Sequence, residues 1–442
     1  MNKIVTRRSV FENNKLDFYK NKAISIYNSL KEEKQPCIID CPNAKGVVCI
    51  TEGSGGHIED FIEFFTRNNN KCEVSCGKKL SEKNKQYDNE VIFYIMVNLI
   101  KDFEKFREFI PTFYNKFCYK MNTSGDTSGD VLNNKENIFY KFENVGNGIT
   151  PDTLMKFDFK IGYKTYYIDE TIGKSNILLK KEKDIRMSGI DKNSTTHIFG
   201  FRLEGPAGSD FRMHDNKVSL FLNNKIYEYD VKQYAIDLND FFKSHRITIE
   251  ILKELEETDR KETYVKYIKK PFPVSSRYIL NKVLGCTDDI LHNKIFKKTC
   301  VKMSRYSIHP FITFDFLFEF YKDRNDALKY CDMMIYDLEK YYEVLWNDKD
   351  KDLSIASIGS SLLLIKGIDS TNNSKNKKTK LCAIDFAHSY IFDEKINSVN
   401  GLDYKLLNNI KNSYRISIKN LIVTLKLFKH FKMNYGQLLT TI

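Results

Sequence analysis

Apolar positions recur along this chain at two different periods, and the period changes mark out its elements. From Gly46, GVVCITEGSGGHIEDFIEFF and CEVSCGKKL alternate apolar and polar residues around a glycine-rich turn, which predicts strand, turn, strand and strand. In the next segment, NEVIFYIMVNLIKDFEKFREF, residues Val91, Tyr94, Ile95, Leu99 and Phe103 fall on one helical face. That spacing predicts an amphipathic helix packed on a small sheet. A polar stretch that repeats Thr-Ser-Gly-Asp at 123–126 and 127–130 has loop composition and is expected to join two strands. Beyond it, IFYKFENV, LMKFDFKIGYKTYYI and HIFGFRLEG are rich in β-branched and aromatic residues and read as strands of a second, larger sheet. VSLFL and KIYEYDV, around Asn223 and Asn224, read as a further hairpin.

Helical periodicity returns between Asp237 and Thr258, and again from Ala327 to Trp346, where Leu328, Cys331, Ile335, Leu338, Tyr342 and Leu345 recur at steps of three and four. Residues 270–312, with Pro271 and Pro273 and short apolar clusters, read as an insertion. IASIGSSLLLI and KLCAIDFAH are expected as strands of a hairpin across KGIDSTNNSKNKKTK, with RISIKNLIVTLKLF as a closing helix. The first forty residues are polar with a weak apolar period, and are expected to be an extension or a single docking helix.

Composition narrows the function little. Hydrophobic residues at 42% and aromatics at 13% of 442 residues can bury a substantial core, which excludes wholesale disorder. Lys and Arg exceed Asp and Glu by 70 to 58. That excess fits an anionic partner, whether nucleic acid, phospholipid or a polyphosphorylated metabolite, and fits equally a solvated lysine-rich surface. MNKIVTRRSVFENNK lacks the apolar stretch of a secretory signal. The longest apolar run, Val91 to Ile100, is half of the ~20 residues a membrane span needs. A cytoplasmic or nuclear location is expected, with the ten cysteines reduced. Cys37 with Cys41 and Cys72 with Cys76 have a spacing that zinc permits. Because Cys72, Val74 and Cys76 alternate on one strand face, buried core thiols are the preferred reading.

Phosphoryl transfer needs a cover for the triphosphate, a cation on its oxygens, a hinge for the adenine, a metal site and a group that positions the acceptor. Candidates for all five occur in order. Gly53-Ser54-Gly55-Gly56-His57 lies between two strands, where backbone N–H groups can approach an anion, although a plain hairpin loop has the same composition. Lys78 or Lys79 ends the next strand, and Glu90 on the following helix can pair with it; a surface lysine and a helix-capping glutamate account for the same residues. Asp158 and Lys160 lie two apart on one strand face, followed by Gly162; an exposed ion pair is the plain alternative. Asp385 follows apolar residues at a strand end, where a carboxylate is costly to bury without a cation or donors. The hairpin would bring it near Ser360 and Ser361, so that a hydroxyl and a carboxylate can share one metal ion.

In combination these segments resemble the inositol polyphosphate kinase family. Its Gly-Gly-His loop is similar to GSGGH at 53–57, and its Cys-Lys-Pro-Leu strand to Gly77-Lys78-Lys79-Leu80. Its Glu-x-x-Phe-Tyr helix is similar to Glu90–Tyr94, its Phe-x-Pro-x-Tyr pattern to Phe109, Pro111 and Phe113, and its hinge to Glu143-Asn144-Val145. The hallmark Pro-x-x-x-Asp-x-Lys-x-Gly is represented by Asp158, Lys160 and Gly162, with Leu154 where the proline belongs and Pro151 nearby. Gly200-Phe201-Arg202, Ser360-Ser361-Leu362-Leu363 and Ile384-Asp385-Phe386-Ala387-His388 complete a resemblance spanning about 46–431.

The resemblance implies an α+β, two-lobed, protein-kinase-like (ATP-grasp-like) fold, with an antiparallel sheet in each lobe and covering helices. Its parts would be an extension over 1–45, an N-lobe over 46–142 and a C-lobe over 143–442. The inositol phosphate-binding segment would lie near 164–195 and the insertion over 270–312. It implies ATP and Mg²⁺ (or Mn²⁺) as cofactors, an inositol polyphosphate as substrate, no specific nucleic-acid partner, and a monomer. By carry-over, Lys78 holds the α/β phosphates, and Glu143 and Val145 offer backbone groups to adenine. Lys160 bridges γ-phosphate and inositol, and Asp385 with Ser361, or next Ser360, holds the metal. Asp158 orients the acceptor hydroxyl or holds the ribose, and Lys180, Lys181, Lys183 and Arg186 bind the polyphosphate or form a solvated basic loop. The Ile-Asp-Phe-Ala-His form and the short substrate segment resemble the hexakisphosphate kinase and multikinase branches more than the trisphosphate 3-kinases. A hexakisphosphate kinase making a diphosphate is the first expectation, a multikinase acting on lower phosphates the second, and a weakly catalytic polyphosphate-binding scaffold the third.

Overall fold

A computed structural model of the chain describes residues 5–30, 32–34, 48–49, 61–68, 71–79, 86–120, 136–166, 185, 187–205, 210–214, 217–222, 225–244, 246–256, 260–269, 306, 308–320, 322–346, 353–370, 376–394, 398–399, 402–435 and 439–441. The amino-terminal part opens with helix α1 (Val5–Ser29). A sheet follows, built from β1 (Glu32–Lys34), β2 (Val48–Cys49), β3 (Phe61–Asn68), β4 (Lys71–Lys79), β5 (Phe113–Lys120) and β6 (Glu136–Glu143), in the order β1-β5-β6-β4-β3-β2. Its pairs are antiparallel except β1 with β5. Helix α2 (Gln86–Leu99) buries Val91, Phe93, Tyr94 and Ile95, and the helical period then tightens into two 3₁₀ turns that bury Phe103, Phe106 and Phe109.

The strand at IFYKFE corrects the expectation of membership in the second sheet. β6 pairs with β5 and β4 instead, because the polar connection after β5 returns the chain antiparallel beside it. Beyond residue 150 the strands are β7 (Met155–Ile161), β8 (Phe201–Leu203), β9 (Asp210–His214), β10 (Lys217–Leu222), β11 (Lys225–Asp230), β12 (Leu353–Ser357), β13 (Ser361–Ile368), β14 (Lys377–Ile384), β15 (Ser389–Asp393), β16 (Ser398–Val399), β17 (Leu402–Asp403) and β18 (Leu439–Thr441). The second main sheet is antiparallel in the order β14-β13-β7-β8, and β18-β11-β10-β9 form another, which contains the expected hairpin.

Only part of HIFGFRLEG is a strand. Thr195–Phe199 is a short helix, α3, because Ser194 caps its start by accepting from the Thr196 N–H at 3.3 Å, and Gly200 ends it at φ 78°. A Cβ at Gly200 would also run into Ser417. The helical region near Asp237 is two helices, α4 (Val231–Ser244) and α5 (Arg246–Lys253), followed by α6 (Lys261–Ile268). The segment read as an insertion to 312 already contributes core at its end: helix α7 (Pro310–Phe318) is buried along its whole length. His309 caps α7. Its Nδ1 accepts from the Phe311 N–H at 3.2 Å and lies 3.1 Å from the Tyr234 hydroxyl, while Nε2 is 3.3 Å from the Ile268 carbonyl. Helices α8 (Arg324–Trp346) and α9 (Tyr404–Asn434) share one contiguous core with α2, β7 and β13. Among the described residues no helix is long and apolar enough to cross a membrane.

Candidate active site

β13 is the organising strand. Its register sets Ser361 opposite Lys160 of β7 and Ile384 of β14, and Leu363 opposite Asp158 and Cys382. Directly opposed residues share a sheet face, so Asp158, Lys160, Ser361, Leu363, Cys382 and Ile384 look the same way. The other face, with Phe157, Phe159, Leu362, Leu364 and Ala383, belongs to the main core. This division explains why SLLLI is apolar without alternation: both faces are covered. On the site face, Ile149, Leu363, Ile365 and Cys382 form a separate apolar cluster against which Val145, Leu154 and Ile384 pack.

Three elements bring charge to one edge of that cluster. Asp385 follows β14 and takes the left-handed conformation, φ 65°, uncommon outside glycine. Its carboxylate accepts from Lys160 Nζ at 2.8 Å and lies 3.5 Å from Lys78 Nζ at the end of β4. Lys78 also donates to Glu90 Oε2 of α2 at 2.6 Å, both side chains being nearly buried. Burial raises the Asp385 carboxyl, but Lys160 and Lys78 more than reverse this and hold it well below the usual carboxylate range. Burial likewise works against the Lys160 ammonium, yet Asp385, Asp158 and Glu204 keep its pKa above the ordinary lysine value. The next residue, Phe386, stacks on Phe93 at 4.6 Å and meets Tyr94 and Phe106 edge-on, which fastens the Asp385 turn to α2.

Asp158 is 5% exposed, and its Oδ1 is buried with no hydrogen-bond partner in the structure. Burial, reinforced by Asp385 and Glu204 and opposed by Lys160, pushes its carboxyl up to about 7. Beside it, Arg202 of β8 is opposite Lys160 and fully buried. It donates to Asp191 at 2.6 Å, to Glu204 at 2.9 Å and to the Thr165 and Thr196 hydroxyls, and lies over the Tyr306 ring. Asp191 also accepts from the Thr165 N–H and hydroxyl at 2.7 Å. Gly162, at φ 111°, turns the chain out of β7 toward Thr165, a conformation that a residue with a Cβ rarely adopts. Glu204, Asp191 and Phe386 carry no role in the sequence reading. Only the alternation of Arg202 and Glu204 on one strand could have signalled the first of them, since the other two act through tertiary partners.

At the segment between the sheets, the Glu143 side chain is engaged by Lys380 at 2.7 Å and by the Thr112 N–H and hydroxyl at 3.2 Å each. Burial opposes these contacts, but they win and hold its pKa down. The turn is closed by bonds from Asn147 N–H to the Asn144 carbonyl, from Ile149 N–H to the Gly146 carbonyl and from Gly146 N–H to Asn144 Oδ1. None of these uses the Val145 N–H, and Val145 packs against the apolar cluster. Pro151 starts a 3₁₀ turn over 151–153 and Leu154 closes it, so the displaced proline still turns the chain into β7.

Ser360 and Ser361 are both fully buried, and the Ser361 hydroxyl faces the Asp158 carboxyl. Alternation separates them: Ser361 shares the face of Lys160, whereas Ser360 turns toward Tyr414 of α9. A carboxylate next to a strand whose partner carries a buried hydroxyl, with two ammonium groups already in the position of cations, fits one Mg²⁺ held by Asp385 and Ser361. Among the described residues no group of three or more His, Cys, Asp or Glu side chains is arranged to hold a metal. Cys76 is only partly buried, short of the core position expected for it. Cys37, Cys41, the 53–57 loop and Lys180, Lys181, Lys183 and Arg186 lie outside the described residues.

A strand-end lysine paired with a helix glutamate and lying beside an aspartate that follows a β-hairpin is an arrangement that phosphoryl transfer can use. Residues 293–426 match the family model described as inositol polyphosphate kinase. The resemblance read from the sequence is thereby borne out over that segment, which is similar to the inositol polyphosphate kinases. The matched span contains Ser361 and Asp385 and begins inside the segment read as an insertion, while Lys78, Glu90, Asp158 and Lys160 precede it. No curated protein gives a significant match.

Proposed function

We propose that the chain phosphorylates inositol hexakisphosphate to a diphosphoinositol phosphate, with ATP bound between two lobes formed around its two main sheets. The observation that carries this is the convergence of Lys78 and Lys160, from different sheets, on the single carboxylate of Asp385. The two ammonium groups neutralise Asp385. Asp385 and Ser361 would hold Mg²⁺, which would supply charge stabilisation to the phosphate oxygens. Lys78, steadied by Glu90, holds the α/β phosphates, and Lys160 holds the γ-phosphoryl group and a phosphate of the acceptor. The apolar cluster beside Val145 suits the adenine, with the Glu143 and Val145 backbone at its rim. The unpartnered Oδ1 of Asp158 is available to a hydroxyl, of the ribose or of the acceptor.

The Ile-Asp-Phe-Ala-His form is common to hexakisphosphate kinases and multikinases, so acceptor choice is the point to test. Purified protein is incubated with Mg-ATP and a panel of inositol phosphates, and products are resolved by anion-exchange chromatography. A diphosphate product from the hexakisphosphate is expected. Phosphorylation of lower phosphates alone makes the chain a multikinase, and binding without any product makes it a scaffold.

A further inference from the structure

Helix α1 is outside the family match and outside every motif named above, yet it is not a free extension. Leu16 and Ala23 are buried, and Tyr19, Ile26, Tyr27 and Leu30 pack with them into the core. Those positions form one stripe at helical spacing, and the stripe is laid against α2. At its end the Tyr27 hydroxyl donates to Asp88 Oδ1 of α2 at 2.7 Å. The Tyr140 hydroxyl of β6 reaches the same oxygen at 2.7 Å, and the two phenol oxygens are 2.8 Å apart. One carboxylate oxygen and two phenol protons make a closed three-way contact.

The register gives this contact a meaning. Tyr140 is directly opposite Lys78 on β4, so both side chains stand on the same face of the sheet, the face covered by α2. Two polar rungs therefore join that face to α2, Lys78 to Glu90 and Tyr140 to Asp88, and Tyr27 of α1 braces the second. A helix able to slide or tilt on the sheet would carry Glu90 off Lys78.

We propose that α1 is a positioning element of the nucleotide site: Tyr27, Asp88 and Tyr140 fix α2 so that Glu90 holds Lys78 ready for the ATP phosphates. The proposal rests on the nucleotide reading of Lys78 given above. Burial, with Asp88 beside it, pushes the Tyr27 phenol up to about 12, so the donor keeps its proton at any working pH. Tyr140 is driven higher still by the same causes.

The full chain is titrated with Mg-ATP by calorimetry, together with Tyr27→Phe, Asp88→Asn, Lys78→Ala and the double variant Tyr27→Phe/Lys78→Ala. Tyr336→Phe, on an exposed face of α8, serves as control. Loss of one such hydrogen bond is expected to weaken Mg-ATP binding about threefold to tenfold in Tyr27→Phe and Asp88→Asn, with no change in the control. On the Lys78→Ala background Tyr27→Phe should add nothing, because its effect passes through that lysine. A Tyr27→Phe variant with a lowered Tm but an unchanged Kd for Mg-ATP, or with an effect that simply adds to that of Lys78→Ala, overturns the positioning role alone. If Lys78→Ala itself leaves the Kd unchanged, the nucleotide reading fails and the positioning role with it.

Discussion

Removing Lys78 alone should cost stability that removing it together with Glu90 does not, while both should have the same consequence for catalysis. The two side chains are 9% and 5% exposed and 2.6 Å apart, so Lys78→Met strands a carboxylate in a nearly dry position. Breaking one side of a buried pair in this way costs about 3–5 kcal/mol. The second contact of Lys78, to Asp385 at 3.5 Å, adds little, since Asp385 is 34% exposed and keeps Lys160 at 2.8 Å. A pair of that exposure is worth about 1 kcal/mol or less. Lys78→Met/Glu90→Gln removes both charges and should regain most of the loss, because a neutral pair of similar volume does not carry the desolvation penalty. In thermal unfolding, the single variant should fall by about 3–5 °C and the double should return close to the parent. Turnover of Mg-ATP should be lost in both. A double variant as unstable as the single would refute the buried-pair account, and a double variant with parental turnover would refute the assignment of Lys78 to the phosphates.

Asp385→Asn keeps the shape and the tolerance of left-handed backbone, but leaves the metal without its anionic ligand; turnover should fall by at least about 100-fold with an unchanged circular dichroism spectrum, and normal activity would remove Asp385 from the metal site. A second expectation concerns acid. His309 is buried, which lowers its pKa from 6.5 to about 4, and its Nδ1 is already occupied as an acceptor. Below pH 6.5 the unfolded chain takes up a proton that the folded chain refuses, so the stability due to neutral His309 is complete above pH 6.5 and is lost as pH falls toward 4. The loss between pH 7.5 and pH 5 amounts to about 2 kcal/mol from that shift. Urea unfolding at the two pH values should show this difference shrinking in His309→Gln, and an identical pH dependence in the variant would contradict it.

Much of the candidate site was legible because its residues sit at fixed strand offsets. Asp158 and Lys160 share a face through a period of two, and the hairpin composition around 369–376 implied that Ser361 and Asp385 approach each other. Legibility failed where local pattern and tertiary pairing diverge. The aromatic content of IFYKFE suits either sheet, and only pairing with β4 and β5 decides its place. His197–Phe199 has strand-like residues, but Ser194 and Gly200 offer both caps of a helix turn, and capping prevails over a short run's propensity.

The chain's periodicities alone determined where its principal strands and helices form, and its residue types determined that an acid and two bases for polyphosphate chemistry exist. What no local pattern contains is distance: Lys160 and Asp385 meet because β7 and β14 flank β13, and the packing of α2 against both the first sheet and Phe386 brings Lys78 to the same carboxylate. The same holds for Tyr27, whose partners Asp88 and Tyr140 lie 61 and 113 residues away. Side-chain alternation encodes the direction in which a group points, but the partner it meets is set by which buried apolar surfaces close on each other, a property of the whole core.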